Sequence, residues 1–288
     1  MNGFRAGVVA ILGRPNAGKS TLLNQILGER LAIVTRKPQT TRSRILGIHT
    51  RDDAQLVLVD TPGLHASEKA FNQALNEQVL EAADGCDVAL LLVDLAEGWG
   101  DDHRELLRRL EKRGTPRVVA GNKCDLGGES PDWPPPEAPD ALRISARRGE
   151  GVERLVTVLV EHLPVSPPLY PEDEISDRPL RWLAAEEIRC AAFEALSQEL
   201  PYALAVEVLA FDESRDDLVQ IRARILVERE SQKGMVIGRG GSMIKRIGSQ
   251  ARPAIEALVG SRVHLDLRVK VEPRWSKKPG RLRELGYG

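Results

Sequence analysis

Cysteine is scarce in this 288-residue chain: there are three, Cys86, Cys124 and Cys190, odd in number and far apart. That pattern excludes a disulfide framework and a close-spaced zinc site, and it suits a reducing, cytoplasmic setting. Long apolar runs are missing as well. The longest strongly apolar run, Val88 to Val93, has six residues, whereas a membrane-spanning helix needs about 20. Met1 to Ala6 lacks the apolar stretch of a secretory signal. No repeat of roughly 20–50 residues is visible, which excludes a solenoid or propeller. An excess of one charge is absent too, the formal net charge being −1.

That balance conceals a division. Arg229 to Gly288 holds 14 Lys+Arg against 5 Asp+Glu, whereas Met1 to Glu228 holds 27 against 37. Such asymmetry suggests that the C-terminal part meets a polyanion. A solvated basic surface with no partner is the plainer alternative. The composition is otherwise that of a globular protein, 42% apolar and 29% charged, and the length suits about two domains.

Up to residue 165, short apolar runs alternate with helical patterns. Gly7–Leu12, Gln55–Val59, Val88–Val93 and a segment opening at Arg117–Ala120 read as buried strands, and Ser20–Leu27 and Glu105–Arg113 as helices. Strands without polar alternation are covered on both faces, so a parallel, doubly wound α/β sheet is expected. Pro131–Pro139 reads as a surface loop, and a second proline-rich stretch, Pro164–Pro179, marks a change in composition. The expected division is a first domain over 1–165, a linker over 166–180, a smaller α+β domain over 181–275 and a basic tail over 276–288. Within the smaller domain the pattern predicts a helix over Leu180–Leu200 and antiparallel strands over Tyr202–Phe211 and Val219–Glu230. A helix–glycine turn–helix follows over Ser231–Leu258, then a last strand over Val263–Val271.

Gly13–Ser20 reads GRPNAGKS, the G-x-x-x-x-G-K-[ST] pattern, directly after a strand and opening a helix. Glycines let backbone N–H groups turn toward phosphate oxygens, and Gly13, Arg14, Pro15, Asn16, Ala17, Gly18 and Thr21 are expected to line the nucleotide. The helix N-terminus adds positive potential. Lys19 reaches the β/γ-phosphates and the Ser20 hydroxyl ligates Mg²⁺. Asp60, Thr61, Pro62 and Gly63 follow the next strand: a carboxylate at a strand end can hold Mg²⁺ through water, and the Gly63 N–H can sense a γ-phosphate. Asn122-Lys123-Cys124-Asp125 follows a further strand. The Asp125 carboxylate can accept both guanine N–H donors, which adenine lacks. Lys123 can lie over the base. Ser145 and Ala146 can offer a backbone N–H to the guanine oxygen.

These four elements, in order and at strand ends, make the chain resemble a P-loop GTPase. GRPNAGKSTLLN, QTTR, DTPGLH, NKCD, PEDEISDRP, ELPYALAVEV and VERESQKGMVIGRGGSMIKRIG make it similar to the Era family in particular, over about Gly7–Gly286. The resemblance implies a switch I around Gln39–Ser43, with Thr41 ligating Mg²⁺ in the GTP state and Thr40 its close competitor. It implies that Lys19, Thr41 and Gly63 carry catalysis. The position after DxxG holds Leu64, which cannot orient water as a glutamine does, so slow intrinsic hydrolysis is expected. In related GTPases an asparagine at the Asn16 position helps to bind K⁺; Asn16 as a plain turn residue is the alternative.

Gly238-Arg239-Gly240-Gly241 matches the G-x-x-G loop of KH domains, and the strand order resembles the type II arrangement. Such a loop clamps about four nucleotides. Arg239 can meet phosphate, and Lys233, Lys245, Arg246 and Arg252 extend the charge. Met235, Val236, Ile237 and Ile244 either floor a groove for unpaired bases or belong to the core. Trp275 either stacks on RNA or packs on the domain. The family resemblance implies a monomer that binds GTP and GDP, and the 3′ end of 16S ribosomal RNA, and assists small-subunit assembly. A membrane-associated regulatory GTPase that acts through protein partners, attracted weakly to the inner face of the cell membrane, is the other reading.

Overall fold

In a computed structural model, the described residues are 3–32, 45–61, 63, 79–196, 200 and 204–285. They divide into two compact units, Met1–Asp177 and Arg178–Gly288. Among them no helix is long and apolar enough to cross a membrane.

The first unit runs β1 (Arg5–Leu12), α1 (Lys19–Leu27), β2 (Ile45–Thr50), β3 (Ala54–Asp60), α2 (residues 79–84), β4 (Val88–Asp94), α3 (Asp101–Arg113), β5 (Arg117–Asn122), β6 (Leu142–Arg143) and α4 (Val152–His162). Its sheet has the order β2-β3-β1-β4-β5-β6. β3, β1, β4, β5 and β6 are parallel, and only β2 pairs antiparallel, on β3. The apolar runs have the expected cause: β3 and β4 are buried at every residue, as strands covered on both faces are. On one face Ala10 and Leu12 of β1 meet Leu91 and Val93 of β4, under Leu106 and Leu110 of α3. Leu22 and Leu23 of α1 and Leu155 and Leu159 of α4 are buried as well, and α1 packs on α4. Each such side chain contributes about 1.5–3 kcal/mol when fully buried. This ordering sends the carboxyl ends of β1, β3, β4 and β5 to one edge, where ligands bind in open α/β sheets.

The sequence did not announce β2, and it assigned 166–180 to a linker, of which residues 166–176 prove to be tied to the first unit. That stretch runs along the first unit. Ser166 N donates to Phe4 O at 3.0 Å, and Ile48 N on β2 donates to Ile175 O at 3.0 Å. Ser176 Oγ donates to Leu46 O at 2.9 Å. Between these points Gln55, fully buried on β3, accepts from Leu169 N and Tyr170 N at 2.7 and 2.9 Å and donates to Tyr170 O at 2.9 Å. The same carboxamide donates to Thr50 Oγ1 at 3.1 Å.

The second unit comprises α5 (Leu180–Ala195), β7 (Ala205–Asp212), β8 (Leu218–Val227), α6 (Glu230–Ile237), α7 (Ser242–Val259), β9 (Arg262–Val271) and α8 (Pro279–Glu284). β7 and β8 pair antiparallel, β8 and β9 parallel. Ile221, Ala223 and Ile225, alternating along β8, meet Ile188 of α5 and Ile247, Ala251 and Ile255 of α7 in one core. The helix expected through Leu200 ends at Ala195. The expected tail is in part a folded element. Leu285, with Leu282 beside it, packs with Trp275, Ala205 and Leu226, and Arg281 donates to Glu207 at 2.8 and 3.1 Å and to Glu272 at 3.1 Å.

Candidate nucleotide site and nucleic-acid interface

The GRPNAGKS loop joins β1 to α1. Gly18 caps α1 with φ +97°, and a side chain there would collide with Asn122 Nδ2. Glycine is required on both counts. Lys19 is buried, and its Nζ donates to Gly13 O at 3.1 Å and Arg14 O at 2.8 Å. Burial lowers its pKa to about 8, and the nearby Asp60 carboxylate opposes that shift. The ammonium is thus held by two carbonyls where a phosphate would be a better partner. Asn16 adopts φ +62° and is exposed. Among the described residues no hydrogen bond ties its carboxamide.

Asp60 ends β3 and is fully buried. Ser20 Oγ donates to its Oδ2 at 2.6 Å. A hydroxyl beside a buried carboxylate, next to a phosphate loop, is an oxygen donor set of the kind Mg²⁺ takes. Thr61 Oγ1 donates to Ile11 O at 2.8 Å, tying this strand end to β1. Gly63 passes so close to Pro15 that a side chain would collide with its backbone nitrogen. Pro62, Leu64, Thr40, Thr41 and the whole of Gln39–Ser43 lie outside the described residues.

Asn122 organises the rest. Its Nδ2 donates to Ala17 O at 2.7 Å, and its Oδ1 accepts from Ala146 N at 2.9 Å. One carboxamide therefore joins the loop after β5 to the phosphate loop and to the 145–146 turn. Ser145 Oγ donates to Asp125 Oδ1 at 2.7 Å. That bond holds the Asp125 carboxyl below its ordinary range, with Arg148 and Arg147 adding to it, so Asp125 is an ionised acceptor. Lys123 takes a left-handed backbone, φ +69°, and its Nζ lies 2.6 Å from Asp94 Oδ2. Asp94 is absent from the motifs above, although an acid ending the buried run VALLLVD at the ligand edge of the sheet is a legible signal. Asp102 was missed as well: Arg14 Nε and Nη2 donate to its two oxygens at 2.8 and 2.7 Å. Burial works against ionisation of Asp102, but the Arg14 hydrogen bonds and charge, together with the contributions of His103, outweigh it and hold the carboxyl below its ordinary range.

In the second unit, α6 and α7 flank the turn 238–241, where Gly238, Gly240 and Gly241 all have positive φ. Gly238 is packed, and a side chain would meet Met243 N at 2.8 Å. Gly240 opens onto empty space. Arg239, Lys245, Arg246 and Arg252 are exposed and Lys233 is half-buried, 3.6 Å from Glu230. Val236 corrects the sequence reading: it is fully buried in the domain core and cannot meet a base. Ile237 and Ile244 are half-buried, and Met235 is exposed. Trp275 is buried against Ala205 and Leu226, so packing, not stacking on RNA, is its role here.

A family model described as 50S ribosome-binding GTPase matches residues 8–123, and a KH-domain model matches residues 199–276. GTPase Era of Pseudomonas putida strain F1 is 44% identical over 296 residues, covering 100% of this chain and 98% of that protein. GTPase Era of Geobacter metallireducens is 44% identical over 294 residues, covering 99% of each. Among solved structures, Era in complex with MgGDPNP and nucleotides 1506–1542 of 16S ribosomal RNA superposes with TM-score 0.90 at 35% identity, over 99% of both chains. A variant of Aquifex aeolicus Era bound to GDP and aluminium fluoride gives TM-score 0.91 at 35% identity, over 99% of this chain and 100% of that one.

Proposed function

The chain belongs to the Era family of GTPases, and from that premise we propose a Mg²⁺-dependent GTP switch whose KH domain binds the 3′ end of 16S ribosomal RNA and assists small-subunit assembly. The observation that carries the nucleotide half is the Asn122 carboxamide, which joins the phosphate loop, the base-reading loop and the 145–146 turn into one frame. In that frame Lys19 Nζ, an ammonium with three donors held by two carbonyls, meets the β- and γ-phosphates while keeping that cradle. Asp125 accepts the guanine N–H pair, and the Ala146 region faces the guanine oxygen. Mg²⁺, when bound, neutralises charge developing on the phosphates; Ser20 and Asp60 are its holders here, with Thr41 the expected third. Gly63 supplies an N–H toward the γ-phosphate. Asn16, exposed and with no carboxamide bond among the described residues, is assigned to K⁺, so hydrolysis should run faster in K⁺ than in Na⁺; equal rates reject that assignment.

The RNA half rests on the 238–241 turn, with Arg239 exposed in it. It is tested by titrating the full chain with a 16S 3′-end RNA in GTP-analogue and GDP states. Gly240→Asp is preferred to Gly238→Asp, which would also disturb Met243 packing, and Gly240→Asn, which carries the same left-handed backbone (φ +56°) without the charge, is the control for strain. Gly240→Asp should weaken binding at least about tenfold, as a carboxylate placed where about four nucleotides are clamped repels phosphate. Unaltered affinity would remove the KH turn from RNA recognition.

A further inference from the structure

Arg14 lies inside the phosphate loop, yet its guanidinium is committed to a residue 88 positions away. Its fork meets both oxygens of Asp102, an arrangement that fixes direction as well as distance. The pair is only partly exposed, 29% and 35% at the two side chains. Asp102 stands in the first turn of α3. That turn is itself anchored: Gly100 N donates to His103 Nδ1 at 3.1 Å, and buried His103 stacks on Trp99 with ring centroids 5.1 Å apart. Gly100 is the clearance for the contact, since a side chain there would collide with Arg14 Nη2. At the other end, the Arg14 carbonyl is one of the two oxygens holding Lys19 Nζ.

We infer that Asp102 is a positioning residue for nucleotide retention: by gripping Arg14 from α3, it fixes the Arg14 carbonyl and with it the Lys19 ammonium. The inference rests on the proposed meeting of Lys19 with the phosphates. An ammonium whose cradle is already ordered has less freedom to lose on meeting its ligand, so binding is tighter. A clasp that served only to join the phosphate loop to α3 would lower the melting temperature of the empty protein and leave nucleotide retention untouched.

The test measures release of fluorescent GDP and the melting temperature for full-length Asp102→Ala, Asp102→Asn, Arg14→Ala and the Arg14→Ala/Asp102→Ala double variant. Asp101→Ala, whose side chain is 99% exposed, serves as the neighbouring control and should match the parent. Asp102→Ala and Arg14→Ala should each speed GDP release about tenfold, about 1.4 kcal/mol, with Asp102→Asn smaller. The double variant should be no faster than the worse single one, as expected for groups acting through each other. If Asp102→Ala fails to fold, Asp102→Asn and Arg14→Ala decide. The inference is overturned if the folded variants release GDP within about twofold of the parent, or if the single effects multiply in the double variant. Lys19→Ala is run alongside. If it retains GDP like the parent, the phosphate-site reading itself fails; if it loses GDP while the Asp102 variants do not, only the present inference falls.

Discussion

Lys19 shows how one buried residue links stability, pH and ligand. Its ordinary pKa of 10.5 falls to about 8 because burial disfavours the charged form. The unfolded chain therefore binds this proton more tightly than the empty fold does. Between about pH 8 and 10.5 the empty protein should gain stability as pH rises, and below that window the penalty is constant. Phosphates act in the opposite sense, since they favour the ammonium. Nucleotide binding above pH 8 should thus take up a proton, and GDP affinity should fall with rising pH, approaching about tenfold per unit. Calorimetry in two buffers of different ionisation enthalpy, at pH 7 and pH 9, reads this directly. Flat affinity across that interval would show that Lys19 does not change its protonation when the phosphates bind. Residues of this kind were legible beforehand, because Lys19, Asp60, Asn122 and Asp125 belong to contiguous motifs at strand ends. Asp102 was not legible, because nothing local in Trp99–His103 points to an arginine 88 positions earlier.

At the scale of elements, buried strands and amphipathic helices could be read from apolar periodicity, while long-range docking could not. Gln55 illustrates the limit. In sequence it is a lone polar residue at the start of an apolar run, and its backbone partners lie more than a hundred positions away. Once in place it satisfies two backbone N–H groups and one carbonyl of residues 169–170, at a site with no solvent access to Gln55. Gln55→Leu keeps the apolar pattern and removes those partners. Leaving such groups unpaired costs about 1–3 kcal/mol, so the variant should lose about that much in urea unfolding. It should also expose the 166–177 stretch to proteolysis. A variant cut no faster than the parent would mean that the β2 contacts of Ile175 and Ser176 suffice to hold the stretch. Val236 marks the same limit from the other side: its place beside a glycine turn suggested a ligand contact, and the packing of α6 on the sheet claims it for the core.

For the molecule as a whole, net charge near zero is the sum of an acidic nucleotide-binding part and a basic C-terminal part, and the two parts should respond differently to salt. Lys19, the proposed phosphate partner, is buried within its loop. The cations around the 238–241 turn, Arg239, Lys245 and Arg246, are exposed, where contacts with RNA phosphates release counterions. For single strands the logarithm of affinity falls with the logarithm of salt by about 0.7 per phosphate neutralised. A G-x-x-G turn that clamps about four nucleotides therefore predicts a slope near −3 for unpaired 3′-end RNA. Arg239→Glu should flatten that slope by about 1 while lowering affinity for all sequences alike, the mark of a phosphate contact. Trp275→Phe, a change within the packed cluster, should leave both slope and affinity in place if that ring serves the core alone. Were Arg239→Glu to change sequence preference and not the slope, Arg239 would be reading base edges. The basic charge of the C-terminal part would then have another cause than the RNA backbone.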